Sequence, residues 1–242
     1  MWSVLKKEVN SFLSSLIAYI TIMVFLLAIG MFTWIVPGMN IFDNGYANLD
    51  TLFSMGPWIF IFLVSAITMR SFSEEKKAGT IELLSTKPLT DWDIILGKYF
   101  AGVLLVLFSL LPTLLYFYSI YQLGAPKGNI DIGATWGSYT GLFLLSSCFV
   151  SVGIFSSVIT SNQIVSFILS MFLCFFFFIV FDLFSDFRLL GSFDHVIEYL
   201  SINTHYDSIS RGVLDSRDLI YFFSFIALFL GFTKWIFSGR KW

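Results

Sequence analysis

The chain has 242 residues, of which 57% are hydrophobic and only 12% are charged, and its 14 Lys and Arg nearly balance its 16 Asp and Glu. Soluble domains carry about 25% charged residues, so a chain this apolar must have lipid as most of its solvent. The lack of a basic excess excludes a nucleic-acid partner, and two cysteines inside apolar runs argue against a disulfide framework and a thiolate metal site.

Six apolar stretches follow one another along the chain, each near the ~20 residues that a membrane-spanning helix needs. They lack the two-residue alternation of a transmembrane β-barrel. The sequence therefore predicts an all-α integral membrane protein with one polytopic domain over residues 1–242 and with no cofactor or metal. The predicted spans are residues 12–36, 51–69, 99–121, 136–159, 164–184 and 219–237.

The residues before the first span predict a short amphipathic helix. Apolar residues recur there at helical spacing from Trp2 to Phe12, and a charged run from Lys6 to Glu8 fills the other side. Such a helix lies in the membrane interface before the chain turns inward. The apolar core that follows is about twice as long as that of a secretory signal peptide, and no A-x-A site follows it, so we expect an uncleaved first span.

The distribution of Lys and Arg predicts the orientation, because cytoplasmic loops carry an excess of positive charge. With six spans, both termini share a side with the loops after the second and fourth spans. That side holds ten of the fourteen Lys and Arg residues. We therefore expect both termini to be cytoplasmic.

The predicted cytoplasmic segment 70–98 is the most charged stretch of the chain. Good helix formers around Ile81 and Leu84 predict a short helix that ends before Pro88, because proline lacks an amide hydrogen. Thr90 and Asp93 resemble a capping box that begins the helix of the third span. A partner gripping this helix–turn–helix could move the bundle. On spacing alone, its charges could equally well solvate a loop and anchor the topology.

This segment resembles a signature of type-2 ATP-binding-cassette (ABC) permease subunits. Those subunits share two acids, Gly-Thr, Glu-Leu-Leu, Pro and then Gly-Lys before the third span. The matching residues in order are Glu74, Glu75, Gly79, Thr80, Glu82, Leu83, Leu84, Pro88, Gly97 and Lys98. The six-span layout with an amphipathic N-terminus also matches, and among these permeases the chain most resembles the gliding-motility-associated subunit of Bacteroidetes.

The resemblance implies a permease subunit in the bacterial inner membrane, where a separate cytoplasmic ATPase drives export or a cell-surface process such as gliding motility. The implied partners are that ATPase, the lipid bilayer, and a second permease copy or a related membrane-anchored auxiliary subunit. The implied docking and coupling residues are Glu74, Glu75, Gly79, Thr80, Ile81, Glu82, Leu83, Leu84 and Pro88. The chain has no G-x-x-x-x-G-K-[ST] motif, so we do not expect it to hydrolyse ATP itself.

The predicted external segment 185–218 mixes apolar residues with six acids and three arginines. This blend suits amphipathic helices that dip into the outer leaflet, and the resemblance implies re-entrant helices before the last span. His195, Glu198 and His205 leave a metal or proton-relay site open. Two histidines without Cys or clustered carboxylates make a poor zinc site, so a structural role is favoured.

The fourth predicted span carries small residues on one face. They are Gly137, Gly141, Ser147 and Ser151. The Gly-x-x-x-Gly spacing permits close helix contact, so we expect this face to pack against a neighbouring helix, with the lining of a transport path as the alternative. No acid or base lies in the middle of a predicted span, which argues against proton-coupled or ion-coupled transport.

A membrane enzyme and a non-transporting membrane anchor are the two alternatives to a permease. A membrane enzyme would need a buried nucleophile with its base, paired carboxylates or a metal cluster, and the predicted spans contain neither histidine nor paired carboxylates. A non-transporting membrane anchor or assembly factor that binds the ATPase is the stronger alternative, because docking of an ATPase could serve assembly alone.

Overall fold

The computed structural model describes residues 1–81, 89–186, 199–213 and 215–239. Within these ranges the chain forms helices and no strand. Six of the helical segments in this part of the chain are long and apolar enough to cross a membrane. The predicted all-α fold with six spanning helices is therefore confirmed.

The helices are numbered in chain order. They are α1 (Trp2–Leu13), α2 (Leu16–Trp34), α3 (Ile41–Asn44), α4 (Asp50–Thr68), α5 (Ser73–Lys77), α6 (Asp91–Leu110), α7 (Leu114–Leu123), α8 (Ile132–Ile159), α9 (Gln163–Phe175), α10 (Phe181–Asp186), α11 (Ile202–Ser210) and α12 (Ser216–Ser238). A 3₁₀ turn (Leu111–Thr113) joins α6 to α7, and a π-helical turn (Phe176–Val180) joins α9 to α10. The candidate spans are α2, the continuous segment Asp50–Lys77 that contains α4 and α5, α6–α7, α8, α9–α10 as far as Leu183, and α12.

Several helices begin at side-chain caps rather than at the ends of apolar runs. Phe12, the predicted first residue of the first span, belongs to α1 instead, and Ser15 caps the start of α2. The predicted capping box of Thr90 and Asp93 is present, so α6 begins before residue 99. Asp131 caps α8, which therefore begins before residue 136. An N-cap side chain pairs with a free amide of the first turn, and this pairing sets the boundary.

The central helix of the bundle is α8, which packs against α4, α6, α9, α11 and α12. Small residues let these neighbours approach. A Cβ atom at Gly153 would lie 2.0 Å from Thr68 Oγ1 of α4, and one at Gly141 would lie 2.4 Å from Ile209 Cγ2 of α11. The two glycines therefore serve contacts with different helices at different levels of α8.

The four small residues predicted to form one packing face of α8 do not all contact the same neighbour. A Cβ at Gly137 would lie 2.8 Å from the backbone of Gly212, just after α11. Ser147 and Ser151 are buried, and their hydroxyls donate to the carbonyl oxygens of the residues four and three positions earlier in the helix. Because each hydroxyl is satisfied within its own helix, it needs no polar partner on a neighbouring helix.

The helices give the bundle two sides. One side carries α1, α5 and the end of α12, where Ser238 Oγ donates to Asp91 Oδ2 at 2.9 Å; we call it the α1 side. The opposite side carries α3 and α11, and there Tyr206 Oη donates to the carbonyl oxygen of Phe53 at 2.6 Å; we call it the α11 side. The outer faces of α2, α9 and α12 expose large apolar side chains, as helices solvated by lipid do.

We predict that Gly153→Ala destabilises the protein, because the added Cβ would lie 2.0 Å from Thr68 Oγ1 and 2.7 Å from Thr68 Cβ. Overpacking a well-packed core costs about 1–3 kcal/mol. Gly231→Ala is the matched control, because nothing lies within 4 Å of a Cβ there and alanine favours a helix over glycine. Thermal unfolding in detergent should give a lower midpoint for Gly153→Ala alone, and equal midpoints would contradict the packing.

Candidate functional site

A buried lysine lies where α1, α5 and α6 meet. The side chain of Lys98 is 0% exposed, and its Nζ lies 2.8 Å from Glu8 Oε1 of α1 and 2.9 Å from Glu75 Oε2 of α5. Nζ also donates to the carbonyl oxygen of Ser71 and lies 4.9 Å from the centre of the Phe72 ring. A buried ammonium is stable only when carboxylates and hydrogen-bond acceptors surround it in this way.

A second lysine extends this arrangement towards the solvent. Lys7 Nζ lies 2.6 Å from Glu75 Oε1 and 3.7 Å from Glu8 Oε1. Burial acts to lower the pKa of Lys7, but the hydrogen bond and the charge of Glu75, together with Glu8, raise that pKa above its ordinary value. Two lysines thus neutralise two glutamates, and we call Lys7, Glu8, Glu75 and Lys98 the ion-pair cluster.

The glycine before Lys98 makes room for α1. A Cβ atom at Gly97 would lie 2.9 Å from Val4 Cβ and 3.1 Å from the carbonyl oxygen of Met1. Val4 is buried in this contact between α1 and α6. Gly97 therefore lets α1 approach α6, and Lys98 then holds α1 through Glu8.

The inward face of α1 includes the predicted apolar residues Leu5 and Phe12 but differs from the predicted pattern at Trp2 and Glu8. The sequence pattern placed Trp2 on the apolar face and Glu8 on the charged face. In the structure Trp2 is 72% exposed, whereas Val4, Leu5 and Phe12 are buried. Glu8 turns inward because Lys98 supplies a charge partner that the local pattern of α1 does not reveal.

Hydrogen bonds also fasten α5 to the end of α8. The backbone amides of Phe72 and Ser73 donate to Ser157 Oγ at 2.7 and 3.1 Å. Lys76 Nζ donates to the carbonyl oxygen of Val158, and the Phe72 side chain is fully buried. A displacement of α5 therefore acts on α8 through these bonds and on α1 and α6 through the ion-pair cluster.

The structure separates the predicted docking residues by exposure. Glu75 is buried, and its carboxylate faces the protein's own lysines. Glu74 is exposed and lies 3.5 Å from Arg70 Nε, and Thr80 is also exposed, whereas Ile81 is buried. The remaining predicted residues lie outside the described part of the chain: Glu82, Leu83, Leu84 and Pro88.

Gly79 ends α5 through its backbone. Its φ of +66° is left-handed, a conformation that glycine adopts without steric cost. The Gly79 amide donates to the carbonyl oxygen of Lys76 at 3.3 Å, and the Thr80 amide donates to that of Glu75 at 3.0 Å. These are the two bonds of a Schellman motif. A Cβ at Gly79 would meet nothing within 4 Å, so the glycine is needed for the turn.

On the α11 side, the histidine considered for a metal site joins two helices. His205 Nδ1 of α11 lies 2.6 Å from Asp218 Oδ1 of α12, and its ring stacks on Tyr221 with centres 4.0 Å apart. His195 and Glu198 lie outside the described residues. Among the residues that are described, no group of three or more His, Cys, Asp or Glu could hold a metal ion.

Sequence reasoning missed the partners of the ion-pair cluster. Lys98 stood out only as the last residue of the signature, and Glu8 and Lys7 only as the polar side of α1. The sequence does contain one indication that Lys98 is paired. Lys98 lies three residues after Ile95, in the apolar part of the predicted helix, and a charge in an apolar helix needs a partner. The sequence gives no indication that Glu8 is that partner.

Comparison with protein-family models matches residues 2–242 to the ABC-2 family transporter proteins. Comparison with curated proteins finds no match. Because the family match covers nearly the whole chain, the chain belongs to the ABC-2 family and is a permease subunit of an ABC transporter. Membership places it in a membrane and implies a cytoplasmic ABC ATPase as its partner, and this confirms the resemblance at the level of the family.

We predict that Lys98→Met destabilises the protein by up to about 3 kcal/mol. Within the cluster, the carboxylates of Glu8 and Glu75 then have only Lys7 left to neutralise them. Thermal unfolding in detergent measures the loss. Adding Glu8→Gln and Glu75→Gln to Lys98→Met should restore part of it, because the unpaired charges are removed.

The matched control for Lys98→Met is Lys77→Met, which removes an exposed lysine of α5. Its unfolding midpoint should stay close to that of the wild type, since exposed ion pairs contribute little. If the two single variants unfold at the same temperature, the buried cluster does not stabilise the α1 side.

Proposed function

We propose that this permease subunit couples ATP hydrolysis by the cytoplasmic ATPase to export across the bacterial inner membrane, and that segment 70–98 is where the ATPase docks. The observation that carries the proposal is the ion-pair cluster, which ties this segment to α1 and α6 through the buried Lys98. Glu74 and Thr80 are exposed beside it and accessible to a partner. The signature residues Glu82 and Leu83 complete the proposed docking surface.

Docking of the ATPase on segment 70–98 would transmit its movement to the helical bundle. Nucleotide-dependent closure of the ATPase would displace α5, and the bonds of Ser157 and Lys98 would carry α8, α1 and α6 with it. Rigid-body movement of packed helices is a common means of switching a bundle between two states. A loop joined to the bundle only at its ends would absorb the same displacement without moving the helices.

The transporter would need a second membrane half in addition to this chain. We propose a second permease copy or a related membrane-anchored auxiliary subunit for that place, and the exposed apolar faces of α2, α9 and α12 are the surfaces it could cover. The resemblance to gliding-motility-associated permeases supports a cell-surface process, such as gliding, as the alternative output to export.

The charge distribution supports an orientation with the α1 side in the cytoplasm. Lysines and arginines collect on that side, as the positive-inside rule requires. Those of the described residues are Lys6, Lys7, Arg70, Lys76, Lys77, Lys98 and Lys234 on the α1 side, and Lys127, Arg211 and Arg217 on the α11 side.

Cysteine labelling tests this orientation. We predict that Lys77→Cys reacts only with a reagent that enters the cytoplasm, and that Lys127→Cys reacts with an impermeant reagent added to the periplasm. Both lysines are exposed, so the two positions are matched in access. The buried Cys148 and Cys174 are replaced beforehand. Periplasmic labelling of Lys77→Cys would overturn the orientation.

The docking surface is tested by recovery of the ATPase with the purified permease. We predict that Leu83→Pro inserts in the membrane but loses the ATPase, because proline would break the short helix that the sequence predicts around Ile81 and Leu84, at a cost of about 3 kcal/mol. Glu82→Gln should weaken recovery only slightly, since an ion pair with the ATPase at the protein surface would contribute only about 0.2–1 kcal/mol.

His195→Ala is the control, because it changes the segment proposed to lie on the other side of the membrane and should leave recovery unchanged. Wild-type recovery of the ATPase by an inserted Leu83→Pro chain would show that the segment is not the docking site. Reconstitution of the wild-type complex then separates a transporter from an anchor or assembly factor, because an anchor would bind the ATPase and move no substrate.

A further inference from the structure

A cavity of about 720 Å³ opens on the α11 side, between α4, the π-helical turn and α11. None of the described residues that line it belongs to the signature or to the ion-pair cluster. Its described lining includes aromatic side chains of α4, the π-helical turn and α11, and carboxylates of α4, α10 and α11. Along α4 the lining runs from Asp50 to Trp58, which corresponds to a depth of about 12 Å at 1.5 Å per residue.

Aromatic rings form the deep end. The rings of Trp58 and Phe178 pack edge to face with centres 5.8 Å apart, and Trp58 is 42% exposed. Tyr206 Oη donates to the carbonyl oxygen of Phe53 and fixes α11 against α4. Phe178 belongs to the π-helical turn, and such turns are frequently found at functional sites. The cavity is therefore bounded by fixed contacts and by an irregular turn in a membrane span.

The open end is polar, with three carboxylates and one arginine, Arg211, in its described lining. Asp207 is paired with Arg211 at 2.5 Å. Asp182 accepts a hydrogen bond from Asn203 at 2.9 Å, and Asp50 accepts one from Asn48 at 2.7 Å. Neither Asp50 nor Asp182 has a cationic partner within the described ranges. The mouth of the cavity therefore carries two carboxylates that a cation could neutralise.

The geometry points to a binding site for an amphiphile whose polar head is a protonated amine. We propose that the ammonium group lies against Asp182 and Asp50, and that the apolar chain lies against Trp58 and Phe178. Lipid solvates an apolar chain about as well as the cavity does, so the head must supply the selectivity. A charge-assisted hydrogen bond to a carboxylate is the interaction that can do this.

This inference goes beyond the proposed coupling function and does not depend on it. The cavity lies on the α11 side and the ion-pair cluster on the α1 side, so each can be tested without the other. Loss of ATPase recovery reports on docking alone, whereas labelling of the cavity reports on amine binding alone.

The test uses the full chain in phosphatidylcholine nanodiscs and a photoreactive probe. The probe is a 12-carbon primary amine with a diazirine near the tail, and the comparison probe has the same chain with a hydroxyl head. Mass spectrometry should locate the amine's cross-links on the peptides of Trp58 and Phe178. The hydroxyl probe should label them about tenfold less, as expected for a lost charge-assisted hydrogen bond.

Two charge variants supply a matched comparison. Asp182→Asn keeps the shape of the side chain and removes its charge, so it should weaken amine labelling about tenfold. Asp131→Asn makes the same change on the same side of the bundle, outside the cavity, and asparagine retains the N-cap of α8. Labelling of Asp131→Asn should equal that of the wild type.

Ser54 is exposed and lines the cavity, so the larger side chain of Ser54→Phe should block the mouth. Labelling by both probes should then be abolished. Phosphatidylethanolamine in the nanodisc distinguishes the source of the amine: suppression of labelling identifies an aminophospholipid as the occupant, and persistence identifies a different amine amphiphile. Equal labelling by the two probes, equal effects of Asp182→Asn and Asp131→Asn, or full labelling of Ser54→Phe would each overturn the proposal.

Discussion

The arrangement of the α1 side depends on one buried ammonium group. An uncompensated charge of this kind costs several kcal/mol, and Lys98 is compensated by carboxylates from two other parts of the chain, Glu8 of α1 and Glu75 of α5. The N-terminal helix, the turn after the second span and the start of the third span therefore share one set of charge partners. The described part of the predicted cytoplasmic segment is in this way tied to the helical bundle.

The central helix α8 contacts both the proposed docking segment and the helix that lines the proposed binding cavity. At its α1 end, Ser157 accepts hydrogen bonds from the backbone that leads into α5. At its other end, Gly137 and Gly141 lie against α11 and the turn after it, and α11 forms one wall of the cavity. A displacement of α5 and a displacement of α11 would thus both act on α8, through the Ser157 bonds at one end and the glycine contacts at the other.

Lipid makes part of this structure predictable from the sequence, because each span needs about 20 apolar residues. Local polar contacts were predictable too, as the capping box of Thr90 and Asp93 shows. Contacts between distant residues were not: Glu8 and Lys98 are separated by 90 positions, and the pattern of α1 alone placed Glu8 towards solvent. The described lining of the cavity comes from three separate segments, and nothing in the sequence of any one of them indicates a cavity.

The ion pair between α1 and α6 fixes the position of one helix along the other, which apolar contacts alone cannot do. Lipid competes with any apolar surface that α6 offers to α1, because both are equally good solvents for apolar side chains. Charged groups find no such alternative in lipid, so the pairing of Glu8 with Lys98 fixes the position of α1 along α6. Gly97 then makes the contact close enough for the pairing to form. The Gly-Lys pair of the signature thus gains a physical meaning, since the glycine admits the N-terminal helix and the lysine sets its register.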